Sequence, residues 1–220
     1  MTLVIQQYGI QRVGTNATKA LIERNLEGVA VDSTDKHLFP VRRARAFLVN
    51  VKDPVSWVWS VYKYRSMKRR YEKPPVHVEF NRRFVEDALV EWGSLTLSHL
   101  YLAEQANTSL VIQHEDLLSD PENVIQRASE AYNASLREDV ELFLTGYARR
   151  GDCRMHGESL IDPKRNFDRE YHLQGRWVED VPEWALEMSL SYQERAFRLH
   201  PILPRNIRVD HLNPVKERLS

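Results

Sequence analysis

The segment YGIQRVGTNATKAL, residues 8–21, follows a short apolar run near the start of the chain. Its two glycines, Gly9 and Gly14, are separated by four residues, as in the phosphate-binding Walker A loop. That motif continues with Lys and then Ser or Thr, whereas this chain has Thr15 and Asn16. The spacing predicts a strand, a glycine loop and a helix. The missing lysine and magnesium ligand argue against a P-loop kinase or a nucleoside triphosphate hydrolase.

The glycine loop keeps the features that attract an anion without lysine. Backbone amides in such a loop form a concave site, and the positive end of the following helix dipole adds to them. Arg12 lies between the two glycines, which favours contact with an anion over a surface ion pair. The residues that we assign to this anion site are Gly9, Ile10, Gln11, Arg12, Val13, Gly14, Thr15 and Asn16.

Strand and helix patterns alternate along the chain after this segment. Residues 47–51 are a second buried strand, and Asp53-Pro54 begins a helix that runs to about residue 68. A third strand at 109–112 precedes the capping-box spacing of residues 119–122, which begins another helix. The alternation predicts an α/β fold, a three-layer α/β/α sandwich with a mostly parallel central sheet. Its strand-exit loops share one face.

The rest of the chain contains fewer regular patterns. A long helix is predicted over 81–106, with Gly93 as a candidate break, and a closing helix over 182–200. The stretch 146–174 is rich in charge and turn residues and lacks periodicity. The length of 220 residues predicts one domain, 1–220.

Composition excludes several classes of function. Lys plus Arg and Asp plus Glu number 31 each, so no global field attracts nucleic acid or a membrane surface. The single cysteine, Cys153, excludes an internal disulfide, and we interpret it as an ordinary thiol. The chain has no leader-like start and no apolar run of about 18 residues. We therefore expect a cytoplasmic protein with no metal and with neither nucleic acid nor membrane as partner; its oligomeric state stays open.

Four further segments carry recognisable patterns. In VKDPVSWVWSVYKY, Lys52 lies eight residues before Ser60. The other segments are DKHLFP at 35–40, VIQHEDLLSDPENVIQRASEAYN at 111–133 and YHLQGRWVEDVPEW at 171–184. The glycine loop and the segments at 51–64, 111–133 and 171–184, in this order along the chain, resemble the sulfotransferase family, and DKHLFP resembles the family's Lys-x-His or Lys-His stretch. Residues 28–47 form a short connection, so the chain resembles a reduced version of that fold.

The resemblance implies a donor, 3′-phosphoadenosine 5′-phosphosulfate, and transfer of its sulfuryl group to a hydroxyl or amine of a small metabolite or saccharide. Arg12, Gly14 and Thr15 match the 5′-phosphosulfate loop, and Gln11 and Val13 depart from it. Lys52 and Ser60 match the 3′-phosphate segment, where the family has Arg instead of Lys. Residues that match the segment closing over the nucleotide are Gly175, Arg176 and Trp177.

The same resemblance implies catalytic roles. His37 corresponds to the base that takes the acceptor proton, Arg12 would meet the sulfonate, and Lys36 would meet the sulfonate or the acceptor. His114, which follows a predicted strand, is the second candidate for the base. The main alternative is a non-catalytic relative that binds a nucleotide or a partner, and the Lys52 departure favours it.

Two other features have a structural interpretation as well as a functional one. The basic run KYRSMKRRYEK, residues 63–73, is typical of a solvated helix end, although it would suit an acidic saccharide. Trp57 and Trp59 fall on opposite sides of one helix, so at most one lines an adenine pocket. Core packing is the simpler reading for both.

Overall fold

The computed structural model describes residues 2–39, 45–69, 78–140, 142 and 169–220. Three sequence features lie wholly or partly outside these residues. Cys153 lies outside, as do most of the irregular stretch 146–174 and the end of the basic run 63–73.

The described strands form one four-stranded parallel sheet with the order β2-β1-β3-β4. They are β1 (Leu3–Tyr8), β2 (Val29–Asp32), β3 (Ala46–Val51) and β4 (Thr108–Gln113). The three predicted strands are confirmed as β1, β3 and β4. Strand β2 was not predicted, because it has four residues and lies at the sheet edge, where only Val31 is buried.

The strand order creates a crevice at one end of the sheet. From β1 the chain passes to β2 on one side, and β3 then pairs with β1 on the other side. The connections that leave β1 and β3 therefore diverge, and such switch points are where open parallel sheets bind ligands. The glycine loop after β1 and residues 52–53 after β3 border this crevice.

The described helices cover both faces of the sheet. Side chains alternate along β3, with Phe47, Val49 and Val51 in one core cluster and Ala46 and Leu48 in the other. The α/β class with a parallel sheet is confirmed, and two helical layers are compatible with the predicted sandwich. The helices are α1 (Thr15–Asn25), α2 (Pro54–Arg69), α3 (Arg82–Gln105), α4 (His114–Ser119), α5 (Pro121–Tyr132), α6 (Arg169–Leu173), α7 (Glu183–Leu199), α8 (Ile202–Asn206) and α9 (Asn213–Leu219). Two 3₁₀ turns span Arg176–Asp180 and Asp210–Leu212.

Helix α3 is continuous through Gly93, so the expected break is absent. The glycine instead permits close packing against α7, because a Cβ there would lie 2.2 Å from the hydroxyl of Tyr192. No helix in the described ranges has the length and apolar character needed to cross a membrane.

Helix α5 begins one residue later than a cap at Ser119 would place it, because Asp120 is the N-cap. The Asp120 carboxylate accepts from the Asn123 amide at 3.0 Å, and Pro121 occupies the first turn. We expect Asp120→Ala to lower the free energy of unfolding by about 1 kcal/mol in urea titrations, because an amide in the first turn loses its acceptor. Asp120→Asn keeps that acceptor and should stay near the parent value; equal losses for both would contradict the capping role.

Candidate functional site

The glycine loop joins β1 to α1 through three residues with positive φ. These are Gly9 (+158°), Arg12 (+67°) and Gly14 (+83°). Gly14 is the N-cap of α1, which has no side-chain cap. A Cβ at Gly14 would lie 2.9 Å from Leu117 Cδ2 and 3.0 Å from His114 Nδ1. The loop therefore packs against α4 so closely that glycine is required.

Only part of the predicted loop can contact a ligand through side chains. Ile10 and Val13 are buried in the core, so only their backbone could contact a ligand. The Gln11 carbonyl accepts from Trp57 Nε1 at 2.6 Å, which fixes the loop on α2. Arg12 is exposed. It is the cationic side chain that this loop presents to the solvent.

A buried hydrogen-bond network lies beneath the loop. Gln7 Nε2 donates to the Thr15 carbonyl and to Asn50 Oδ1, both at 2.8 Å. Ser33 Oγ donates to Gln7 Oε1 at 2.6 Å. Asn50 Nδ2 donates to Thr18 Oγ1 at 2.7 Å. The network joins β1, β3, α1 and the segment after β2. It therefore fixes the position at which α1 begins after the glycine loop.

The predicted catalytic residues lie against this loop. His37 Nδ1 is 2.6 Å from the Gly9 carbonyl, and the Gly9 amide donates to the Lys36 carbonyl at 2.8 Å. Lys36 Nζ donates to Asn16 Oδ1. His99 Nε2 is 2.8 Å from the Leu38 carbonyl, which holds the segment from α3. The structure thus brings Lys36 and His37 to the glycine loop.

Lys52 and Ser60, which the sulfotransferase resemblance assigns to one phosphate group, also lie together. Lys52 is 2% exposed, and its Nζ donates to Ser60 Oγ at 3.0 Å. Among the described residues this is its one hydrogen bond, and no carboxylate forms an ion pair with it. Burial lowers the pKa of Lys52, although Glu115 and Asp53 raise it in part. An ammonium has three donors, so two lack a partner in this part of the chain.

A cavity of about 160 Å³ adjoins the Lys52 side chain. Trp177 of the first 3₁₀ turn contributes to its wall. Gly175 begins that turn at a φ of +68°, where a Cβ would lie 2.8 Å from Pro214 Cγ. Arg176 is exposed and lies near the Tyr171 ring. The cavity is lined by Lys52, Ser56, Glu115, Leu118, Ser119, His172, Leu173, Trp177 and His211.

Three residues of this site were not predicted from the sequence: Asp53, Glu115 and His211. His211 Nε2 is 2.8 Å from Asp53 Oδ2 and 3.8 Å from Glu115 Oε1. Burial lowers the pKa of His211, but the attraction and hydrogen bond of Asp53, together with the attraction of Glu115, outweigh this effect and raise it overall. Burial raises the pKa of Glu115, whose Oε2 has no partner among the described residues. Asp53 and His211 are separated by 158 positions in the sequence, so no local motif could have predicted their pairing.

The spacing of these three side chains is compatible with a metal ion, because their ligand atoms lie within 4.8 Å of one another. The Asp53 carboxylate, however, already accepts from His211 and from the backbone and hydroxyl of Ser56. The neighbouring Lys52 charge also repels a cation. We interpret Asp53 as the counter-charge of His211, and Glu115 as a nearby carboxylate that forms no ion pair with Lys52. The absence of a metal stays a prediction.

His114 lies between the glycine loop and the cavity. Burial lowers its pKa well below the ordinary value, and the charges of Lys52, His172 and Arg12 lower it further. Its imidazole is therefore neutral at pH 7. Its Nδ1, beside Gly14, has no hydrogen-bond partner among the described residues.

The described start of the basic run makes internal contacts. Lys63 Nζ lies 4.4 Å from the centre of the Tyr171 ring and donates to its hydroxyl at 3.1 Å. Arg65 pairs with Glu91 at 2.6 Å. Trp59 is partly buried beside Lys63, whereas Trp57 is fully buried. These contacts leave Lys63 and Arg65 less available for a polyanion.

Comparisons of the chain with protein-family models, curated proteins and solved structures found no match.

The network beneath the loop generates a stability prediction. Gln7→Met keeps side-chain volume but leaves the Thr15 carbonyl, Asn50 Oδ1 and Ser33 Oγ without their partner. We expect the free energy of unfolding to fall by about 2–3 kcal/mol in urea titrations. Gln126→Met, on the exposed side of α5, is the matched control and should change it by less than about 0.5 kcal/mol. A similar small change for Gln7→Met would mean that the network does not fix the loop.

Proposed function

We propose that this chain binds 3′-phosphoadenosine 5′-phosphosulfate and transfers its sulfuryl group to an acceptor hydroxyl or amine. The buried Lys52 ammonium, hydrogen-bonded only to Ser60 among the described residues, carries the proposal. Burying a cation without a counter-ion or full hydrogen bonding costs free energy. A phosphate group in the adjoining cavity would supply both, at the position where the sulfotransferase resemblance puts the 3′-phosphate.

The glycine loop supports a second anionic subsite beside the first. It follows β1, which is the neighbour of β3 in the sheet, so the two sites border the same crevice. The Arg12 charge contributes to lowering the pKa of Lys52 and of His114, which reflects the closeness of these groups. Two cationic subsites on adjacent strands suit a nucleotide with a phosphate at each end of its ribose. We assign the 5′-phosphosulfate to the loop, which would act as a P-loop without its lysine.

The chemistry follows from this placement. An acceptor oxygen or nitrogen forms a bond to sulfur as the bond from sulfur to the bridging oxygen breaks, and the electron pair leaves on the 5′-phosphate. As in phosphoryl transfer, catalysis rests on positioning and on neutralising negative charge. Arg12 and Lys36 provide positive charge at the loop. The acceptor proton passes to His37.

The geometry favours His37 over His114 as the base. The Gly9 carbonyl can only accept, so His37 Nδ1 donates to it and the neutral ring keeps its lone pair on Nε2. A general base needs that lone pair. Burial and the charges of four neighbouring groups, Lys52, His172, Arg12 and His211, lower the pKa of His114 well below its ordinary value, which makes it a weak base. His114 instead suits a neutral hydrogen-bonding role beside the loop.

A non-catalytic nucleotide-binding protein is the second candidate. The cavity beside Lys52 is smaller than the about 300–1,000 Å³ typical of ligand pockets, so it suits one phosphate group rather than a whole nucleotide. Lys52 also lacks the planar fork with which arginine grips phosphate. Both candidates require the same nucleotide site and differ only in turnover.

Lys52→Met tests the nucleotide site. We expect the variant to bind adenosine 3′,5′-bisphosphate about 10- to 100-fold more weakly in calorimetric titrations with a chelator present, because a charged hydrogen bond is lost. Affinity for adenosine 5′-monophosphate should be unchanged. The free energy of unfolding should rise, because a buried unpaired charge is replaced by an apolar side chain.

The control for Lys52→Met is Lys19→Met on the surface of α1, which should alter neither affinity nor stability. Parent protein that binds ATP with magnesium but not the bisphosphate would overturn the proposal in favour of a kinase. A Lys52→Met variant that loses both adenosine ligands equally would remove the assignment of Lys52 to the 3′-phosphate.

His37→Gln tests the base. With radiolabelled donor and a panel of phenols, amines and monosaccharides, we expect transfer to fall by about 10²–10⁴-fold while bisphosphate affinity stays unchanged. His114→Gln, measured in parallel, should retain most of the transfer rate. The reverse ranking would make His114 the base. Bisphosphate binding without transfer to any acceptor or to water would favour the non-catalytic candidate.

A further inference from the structure

We propose that His211 is a ligand of the same phosphate group that Lys52 binds, so that the C-terminal segment completes the 3′-phosphate subsite. This inference rests on the proposed nucleotide site and adds a residue that no motif in the sequence indicates. His211 lies in the second 3₁₀ turn and lines the cavity together with Lys52 and Ser56.

The orientation of the His211 ring supports this role. Its Nε2 donates to Asp53 Oδ2 at 2.8 Å, so the buried carboxylate holds the ring in place. Among the described residues Nδ1 has no hydrogen-bond partner. A protonated imidazole donates through both nitrogens. It can therefore keep Asp53 on one side and bind a phosphate oxygen on the other.

The charge arrangement explains why an anion site contains a buried aspartate. Asp53 accepts three hydrogen bonds, from Ser56 and His211, and its negative charge offsets the positive charge of His211. Lys52 and His211 then both offer hydrogen-bond donors to a phosphate dianion, and Asp53 keeps His211 protonated. A second cation would also compensate for the absent arginine fork at position 52.

Other titratable groups line this cavity or lie beside it and enter any pH dependence. Lys52 and Asp53 follow β3, His114 and Glu115 begin α4, and His172 belongs to α6. Ionised Glu115 opposes a phosphate, whereas protonated Glu115 can donate a hydrogen bond to it. Arg12 of the glycine loop adds a further positive charge nearby.

His211→Gln is the test, because a glutamine amide can still donate to Asp53 but carries no charge. We expect the affinity for adenosine 3′,5′-bisphosphate at pH about 7 to fall by about 10- to 30-fold, and that for adenosine 5′-monophosphate to stay unchanged. His200→Gln, at the end of α7, is the matched control. A thermal melt of each variant shows whether the fold is retained.

The pH dependence separates a ligand from a structural residue. Between pH about 7 and 9 the phosphate is already dianionic, since its second pKa is about 6. The bisphosphate affinity of the parent should fall as the pH rises through the pKa of His211, and this fall should be absent in His211→Gln. This fall in affinity should persist in Glu115→Gln, because that variant removes only the negative charge of Glu115. Asp53→Asn keeps an acceptor for the Ser56 amide but removes the counter-charge, so the pKa of His211 should fall and the loss of affinity should occur at lower pH than in the parent.

The outcomes separate the two proposals. If the parent protein binds the bisphosphate and His211→Gln has the same affinity and pH profile, the His211 assignment is overturned and the nucleotide site stands. Parent protein that does not bind the bisphosphate at any pH overturns both. Equal loss of both adenosine ligands in His211→Gln also contradicts a specific role at the 3′-phosphate.

Discussion

One buried side-chain amide connects the parts of the fold on which the site depends. Gln7 bonds to the first helical carbonyl after the glycine loop, to Asn50 on the neighbouring strand and to Ser33 beyond β2. Strands β1 and β3 pair in parallel, so a polar group between them can fix both exits at once. Such a group must be fully hydrogen-bonded, since each unpaired buried polar atom costs free energy. The position of the loop relative to Lys52 follows from this network.

The second constraint is electrostatic and lies at the exits of β3 and β4. Lys52 is buried without an ion pair among the described residues, while Asp53 and His211 pair with each other beside it. Glu115 adds a carboxylate whose pKa burial raises. The described structure therefore buries cationic groups whose hydrogen-bond donors a phosphate could accept more fully than the protein itself does. A cavity at this place indicates a ligand more strongly than an exposed basic patch would.

These two constraints separate the proposed roles in space. The glycine loop, Lys36 and His37 form one group, held together by backbone carbonyls and by Asn16. Lys52, Ser60, Trp177 and His211 form another, around the cavity. His114 stands between them, adjacent to Gly14 and within the field of Lys52. Binding of the proposed 3′-phosphate and proton transfer would thus depend on different segments of the chain.

The sequence by itself determined the features that depend on near neighbours along the chain. Hydrophobic runs identified β1, β3 and β4, and glycine spacing identified the loop. Lys52, just before α2, and Ser60, within α2, are also near neighbours along the chain. The short edge strand β2 was not predicted because it buries little apolar surface. Gly93 was expected to break α3, but it lies inside the helix because the hydroxyl of Tyr192 on α7 packs against it. Only the tertiary structure brought His211 to Asp53 and Glu115, and only it buried Lys52. Burial and pairing between distant segments depend on how the layers pack, and no local pattern encodes that packing.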